Sequence, residues 1–213
     1  MGRHIDSVCK LCRREGVKLY LKGSRCESPK CAIERRNTPP GMHTRRGKLT
    51  EYGERLREKQ KLKRFYGLLE AQFRRYFSLA SRSKENTGEA LLSILERRLD
   101  NVVHRLGFAP SRAAARQLVA HGHVQLNGKN CDIPSLLVNA GDKISIKNRP
   151  RSMQLVKLNQ QSHIEPIPDF LEITGSEPPE GNVIRIPSRG DVDPRLNKDK
   201  ELQEQLIIEI LSR

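Results

Sequence analysis

Cys9, Cys12, Cys26 and Cys31 follow the spacing C-x2-C-x13-C-x4-C in an amino-terminal segment that has no long apolar stripe. Two close thiol pairs on tight turns can present four thiolates tetrahedrally, and a bound Zn2+ then supplies folding energy that so small a segment cannot draw from a core. Lys10, Arg13, Arg14, Lys18, Lys22, Arg25, Lys30, Arg35 and Arg36 surround the quartet and favour the thiolate forms. An iron-sulfur cluster takes the same four ligands and stands as the alternative, and two disulfides would also consume them. A cytosolic setting argues against disulfides. Cys131 sits far along the chain beside a turn and reads as a small packing residue. His4 and His43 flank the quartet, but four sulfurs already complete a tetrahedral shell, so both read as surface groups.

A second chemistry lies between residues 95 and 147. Ser111 follows Pro110 and is placed to cap a helix on which Arg112 and Arg116, four apart, share a face while Leu118 and Val119 turn inward. Gly122 ends that helix. Val124 and Leu126 alternate with His123 and Gln125 as a half-buried strand, and Asn127-Gly128 offers the two positive φ values of a type I′ hairpin. A basic helix that runs into a tight hairpin makes a rigid cationic corner suited to structured RNA. Upstream, Leu91, Leu92, Leu95, Leu99, Val102, Val103 and Leu106 predict one long helix with an apolar stripe, leaving Arg97, Arg98 and Arg105 for its other side.

Charge points the same way. Forty Lys and Arg against 25 Asp and Glu give a formal charge of +15, and a polyanion is the partner such a balance implies. The excess is uneven. Residues 1–98 carry 25 basic and 11 acidic side chains, whereas residues 160–213 carry 6 and 11, so the end of the chain is a poor phosphate binder. There is no tryptophan and aromatics make up 4%, which predicts a modest aliphatic core. Neither a secretory leader nor an apolar run near the roughly 20 residues of a membrane span is visible, which predicts a cytoplasmic protein. GxxxxGK[ST], G-x-S-x-G and H-E-x-x-H are all missing, and carboxylates are scattered, so nothing asks for catalysis or for a small-molecule substrate.

Other elements frame these groups. Residues 49–82 read as two cationic helices with Leu62, Phe65, Tyr66, Leu69 and Phe73 inward and Arg74-Arg75 outward; Tyr66 and Tyr76 read as core rather than as base-stacking platforms. Residues 170–173 and 183–186 read as short strands among prolines. Residues 198–213 read as an amphipathic helix with Leu202, Leu206, Ile207, Ile210 and Leu211 on one side.

The run SRAAARQLVAHGHVQLNGK resembles the small RNA-binding module named after small ribosomal subunit protein four, and LLSILERRLDNVVHRLGFAPSR narrows the likeness to the bacterial type of that family. Upstream, GKLTEYGERLREKQKLKRFYGLLEAQFRRYF is similar to the same family, as are GNVIRIPSRGD and EQLIIEILSR downstream, so the resemblance covers nearly the whole chain. It implies an α+β protein of the four-cysteine, zinc-containing form. The expected parts are a four-cysteine metal-binding segment (1–45), a helical RNA-binding domain (46–98) completed by the helix at 198–213, an inserted module of helices on a small antiparallel sheet (99–159), and strands that complete the sheet (160–197). It implies a non-enzymatic component of the 30S subunit that binds 16S ribosomal RNA, nucleates assembly of the subunit body and contributes to accuracy, beside neighbours such as protein five. Candidate RNA contacts are Arg112, Arg116, His121, His123, Asn127 and Lys129 in the module, with Arg45, Arg46, Arg64, Arg74 and Arg75 elsewhere. Ile210-Leu211 stands where the family pattern has Phe-Tyr, and extra residues precede the last helix, which puts the packing of the tail in doubt. Two rivals differ in class. An RNA-modifying enzyme carrying the module would need a catalytic domain larger than the 54 residues after position 159, and a zinc-dependent regulator would not need the matching flanks.

Overall fold

The computed structural model describes residues 4–43, 45–161, 165–176, 178–198 and 201–212. The chain divides into two compact units, one of residues 1–91 with 193–213 and the other of residues 92–192.

In the first unit, α1 (Cys9–Glu15) stops at Gly16, whose φ of +79° lets its N–H turn back to the Cys12 carbonyl. A single 3-10 turn (Gly23–Cys26) and α2 (Ala32–Arg35) follow. The helix α3 (Glu51–Phe65) begins at Thr50, whose hydroxyl accepts the Gly53 N–H at 3.2 Å. Glu51 and Glu54 in its first turn, and Lys63 and Arg64 in its last, suit the helix dipole. Gly67, at φ +65°, turns the chain into α4 (Glu70–Ala80). Leu62, Phe65, Phe73 and Ala80 are sealed from solvent, and Tyr66 and Tyr76 are core as their spacing predicts. Burial of each such large apolar side chain contributes about 1.5–3 kcal/mol. The last helix, α9 (Glu204–Ser212), packs on α3, buries Ile207 and pairs Glu209 with Arg55 at 2.5 Å. It is shorter than the stretch 198–213, whose last residue lies outside the described residues; Leu202 is already buried ahead of it. Arg195 lies over the Tyr20 ring, 5.1 Å from its centre, so the returning chain also meets the amino-terminal segment.

The second unit is helices against a five-stranded antiparallel sheet of order β2-β1-β3-β5-β4, where β1 is Val124–Leu126, β2 Lys129–Cys131, β3 Lys143–Ile146, β4 Leu171–Ser176 and β5 Pro179–Val183. Val124 faces both Cys131 and Ile146 across its neighbours, and Ser145 pairs with Glu180. The helices α6 (Leu99–Arg105), α7 (Arg112–Ala120) and α8 (Pro150–Gln161) complete the unit. Leu99, Val102, Val103, Leu106, Phe108, Val119, Val124, Ile144, Val156 and Phe170 form one continuous core. Ser111 caps α7 by accepting the Ala114 N–H, and Asn127 and Gly128 take φ values of +51° and +76°, as the hairpin reading requires.

Three expectations need correction. Leu69, read as inward, is exposed because it is the extended residue that caps α4 and lies outside the helical stripe. The stretch 87–106 is two helices, α5 (Thr87–Glu96) and α6, because Arg98 is extended. There the helical ladder is exchanged for pairing with the loop at 136–138: Leu99 N–H donates to Leu136, Val138 N–H donates to Arg97, and Arg98 bridges Leu137. The break carries Arg98 inward against Asp100, so Arg98 and Arg105 are buried instead of lying on an outer face. The strand expected at 183–186 ends at Val183; Ile184 still donates to the Phe170 carbonyl, but Ile184 and Ile186 are exposed. Pro179 is tolerated as the first residue of β5 because its missing N–H falls at the strand end.

Candidate nucleic-acid interface and metal centre

Cys9, Cys12, Cys26 and Cys31 converge from the start of α1, its next turn, the 3-10 turn and the entry to α2, and together they line one small cavity of about 20 Å3. All five cysteines of the chain are free thiols. Cys12, Cys26 and Cys31 are buried, and Cys9 is half-buried. Burial, reinforced by repulsion from the other three thiolates, lifts the Cys12 thiol to about 11 against the pull of a hydrogen bond from the Leu19 backbone. Burial also raises the Cys26 thiol, although the Lys22 N–H donates to its sulfur at 3.3 Å. Four sulfurs crowded into one dry cavity disfavour sharing negative charge unless a cation sits among them, so the donor set fits a thiophilic metal. Cys131 is half-buried against the core of the second unit, far along the chain from the quartet. His4 and His43 are exposed.

The first unit also carries a cleft of about 770 Å3 whose wall includes Arg14, Arg45, Arg46, Arg57, Lys61 and Arg64. Three of the sequence candidates, Arg45, Arg46 and Arg64, thus meet in one place, while Arg74 and Arg75 are exposed on α4 outside it. Arg46 is exposed but anchored, donating to the Arg13 carbonyl at 3.2 Å and to Asn37 at 3.1 Å. Its guanidinium lies where a side chain at residue 16 would project; an exposed arginine can move aside, so it is the φ of +79° that calls for Gly16. Arg64 and Arg57 share the carboxylate of Glu15, which is almost wholly buried. Burial raises the Glu15 carboxyl despite Arg57 and Arg64, and burial lowers Arg64 despite Glu15. Arg14, Arg57 and Lys61 are not among the RNA contacts expected from the sequence. Helical spacing lists them among many cations, and only the fold brings residues 14, 45 and 57–64 together.

In the second unit, Arg112 and Arg116 lie half-buried on the first turns of α7. Arg112 donates to Asn101 at 2.8 Å and Arg116 to Asp100 at 3.1 Å. His121 caps α7 with its ring 6.2 Å from that of His123. His123 shares a 3.0 Å hydrogen bond with Ser152. Burial, with Arg149, His121 and Lys147 nearby, pushes its imidazole below the ordinary value, so at neutral pH it offers hydrogen bonds rather than charge. Lys147 and Arg149, which adjoin this pair, are further cations that sequence reading passed over. Asn127 holds its own hairpin: it accepts the Lys143 N–H and donates to Asp142, both at 2.8 Å. Lys129 is exposed on β2. No helix among the described residues is long and apolar enough to cross a membrane.

Comparison with known proteins places this architecture. Residues 3–96 match the model of the ribosomal protein S4/S9 N-terminal domain and residues 97–144 that of the S4 domain. The chain is 52% identical, over 214 aligned positions spanning all of both proteins, to small ribosomal subunit protein uS4 of Thermoanaerobacter sp. (strain X514). It is 52% identical to uS4A of Alkaliphilus metalliredigens and 51% identical to uS4 of Halothermothrix orenii, again over the full length of each. A cationic cleft, a helix-hairpin corner rich in Arg and His, and full-length likeness to these relatives assign the chain to the small ribosomal subunit protein uS4 family, whose members are RNA-binding structural components of the ribosome and not enzymes.

Proposed function

We propose that the chain is a primary 16S ribosomal RNA-binding protein of the 30S subunit, working in the cytoplasm on the ribosome, where it nucleates assembly of the subunit body and contributes to translational accuracy beside neighbours such as protein five. The observation that supports this reading most is the cleft in which Arg45, Arg46 and Arg64 gather with three further cations. Phosphates where RNA helices converge are neutralised there and at Arg74, Arg75, Arg112, Arg116 and Lys129, while His121, His123 and Asn127 add hydrogen bonds from the hairpin corner. Charge supplies the affinity and the rigid surface selects one RNA shape. Functionally, the parts are a metal-bound segment (1–45), a helical RNA-binding part (46–98) completed by 198–213, an inserted module (99–159) and strands that extend its sheet (160–197). The packing of α9 on α3 supports that division.

Cys9, Cys12, Cys26 and Cys31 hold one Zn2+ in this reading, which supplies no reaction but ties the amino-terminal segment into one shape. An iron-sulfur cluster on the same sulfurs is the competing occupant, distinguished by elemental analysis and visible absorbance. Fractionation of subunits tests the function as a whole: the chain is expected at one copy per 30S particle after a high-salt wash. Recovery only in the soluble fraction, or at far less than one copy, would overturn the proposal in favour of a regulator or modifying enzyme.

A further inference from the structure

We propose that Asp100 and Asn101, neither of them cationic, are positioning residues for RNA binding, because they orient the guanidinium groups of Arg116 and Arg112. The inference rests on the reading that these two arginines meet RNA phosphates. Both positioning residues lie in the first turn of α6 and are buried, at 4% and 1% exposure. Asp100 is itself gripped from behind: Arg98, wholly buried, donates Nε to Oδ1 at 3.0 Å and Nη2 to Oδ2 at 2.5 Å. The same Oδ2 accepts Nη1 of Arg116 at 3.1 Å. Asn101 is likewise set before it is used. Its Nδ2 donates to the backbone oxygen of Glu96 at 3.1 Å and to the Glu96 carboxylate at 2.6 Å, which aims Oδ1 at Nε of Arg112, 2.8 Å away. Two relays result, Arg98 to Asp100 to Arg116 and Glu96 to Asn101 to Arg112, each ending in an arginine at the amino end of α7.

The chemistry favours tethering. An arginine side chain loses rotamer freedom when it is fixed, so one fixed by the fold in advance does not bear that cost on meeting a phosphate. A guanidinium carries five N–H donors, more than a single carboxylate or amide oxygen can accept. Coulomb attraction alone predicts the opposite sign for Asp100, since a carboxylate beside Arg116 weakens the pull on a polyanion.

The test uses the full chain and an in vitro 16S ribosomal RNA transcript, with binding measured at several salt concentrations and thermal melting run in parallel. Asp100→Asn raises the net charge by one yet is expected to weaken binding about tenfold, and Asn101→Ala to do the same, with the log-log salt slope falling by roughly one in each. Adding Arg116→Gln to the first variant, or Arg112→Gln to the second, should cost no more affinity than the arginine change alone. Should Asp100→Asn fail to fold because Arg98 is left buried without its carboxylate, the Asn101→Ala and Arg112→Gln cycle decides. Arg112→Lys, at a half-buried surface position, gives a variant that keeps the charge; it is expected to lose affinity because a flexible ammonium lacks the planar fork that Asn101 holds in a fixed orientation. Additive losses in the double variants, or tighter binding by Asp100→Asn, would overturn the positioning role while leaving the arginines as contacts. Unchanged binding by both Arg→Gln variants would instead overturn the contact reading on which the inference stands.

Discussion

Asp191 is where acid reaches the second unit. Hydrogen bonds from Arg185 at 2.6 and 2.7 Å, joined by the Ser188 hydroxyl and amide, outweigh burial and hold its carboxyl at about 2. A depressed aspartate contributes stability that is fully present above its ordinary value of 3.8 and is lost as the pH falls from there toward about 2. Asp191→Asn is therefore expected to cost on the order of 1–2 kcal/mol at pH 7, discounted for the half-exposed Arg185, and to flatten the acid loss between roughly pH 4 and pH 2. Melts across that window check it; parallel pH profiles for the two proteins would refute the assignment. At this scale the sequence is a partial guide. Arg45, Arg46, Arg74, Arg75 and Lys129 are exposed cations, as their surroundings imply, but Arg64 and Arg116 are met by carboxylates from residues 49 and 16 positions away. Periodicity assigns a side chain to a face of its own helix and is silent about which acid another element brings to that face.

Elements were legible wherever local chemistry decides them. The cap at Ser111, the Asn127-Gly128 turn, the core stripe of α3 and α4 apart from the exposed Leu69, and the apolar tail helix all follow from residue type and spacing. The break at Arg97-Arg98 does not, because the helical pattern is uninterrupted there and the chain leaves the helix only to pair with residues 136–138. The end of β5 at Val183 is similar: Ile184 and Ile186 have strand character, but the bonds on the β3 side stop at Val183, which meets Asp142 and Gly141 just ahead of β3. Asn127 links element to function, since it was chosen as an RNA contact and the fold uses both ends of its amide. Asn127→Ala should lose two hydrogen bonds and the tolerance of the left-handed region that Asn has at φ +51°, lowering stability by about 2 kcal/mol. Asn127→Gly removes the bonds without the backbone strain and should cost less. RNA binding measured well below the melting temperature separates the roles: a loss common to both variants marks a direct contact, whereas near-parental affinity in both marks a purely structural side chain.

Across the whole molecule, charge and folding energy are distributed differently. The first 98 residues hold most of the cationic excess, and their amino-terminal part has little apolar core beyond Leu19, Tyr20 and Ile33. The second unit has a continuous aliphatic core of its own. The partner class was legible from that charge excess and from the motif runs, whereas what the four cysteines would hold was not, because four sulfurs suit zinc and an iron-sulfur cluster alike. Metal removal should therefore act unequally. Stripping the reduced protein with a strong chelator is expected to release close to one zinc per chain and to collapse hydrogen-exchange protection around α1 and α2, while amides of β1, β3 and α7 keep theirs. Cys26→Ser should reproduce the loss without chelator, since three sulfurs no longer complete the shell. RNA binding should weaken most in variants that also lack Arg45 and Arg46, because those residues lie at the end of the segment that the proposed metal would hold in place. An amino-terminal segment that stays protected in reduced, metal-free protein would show that the four sulfurs pack as an ordinary small core, and the metal centre would have to be abandoned.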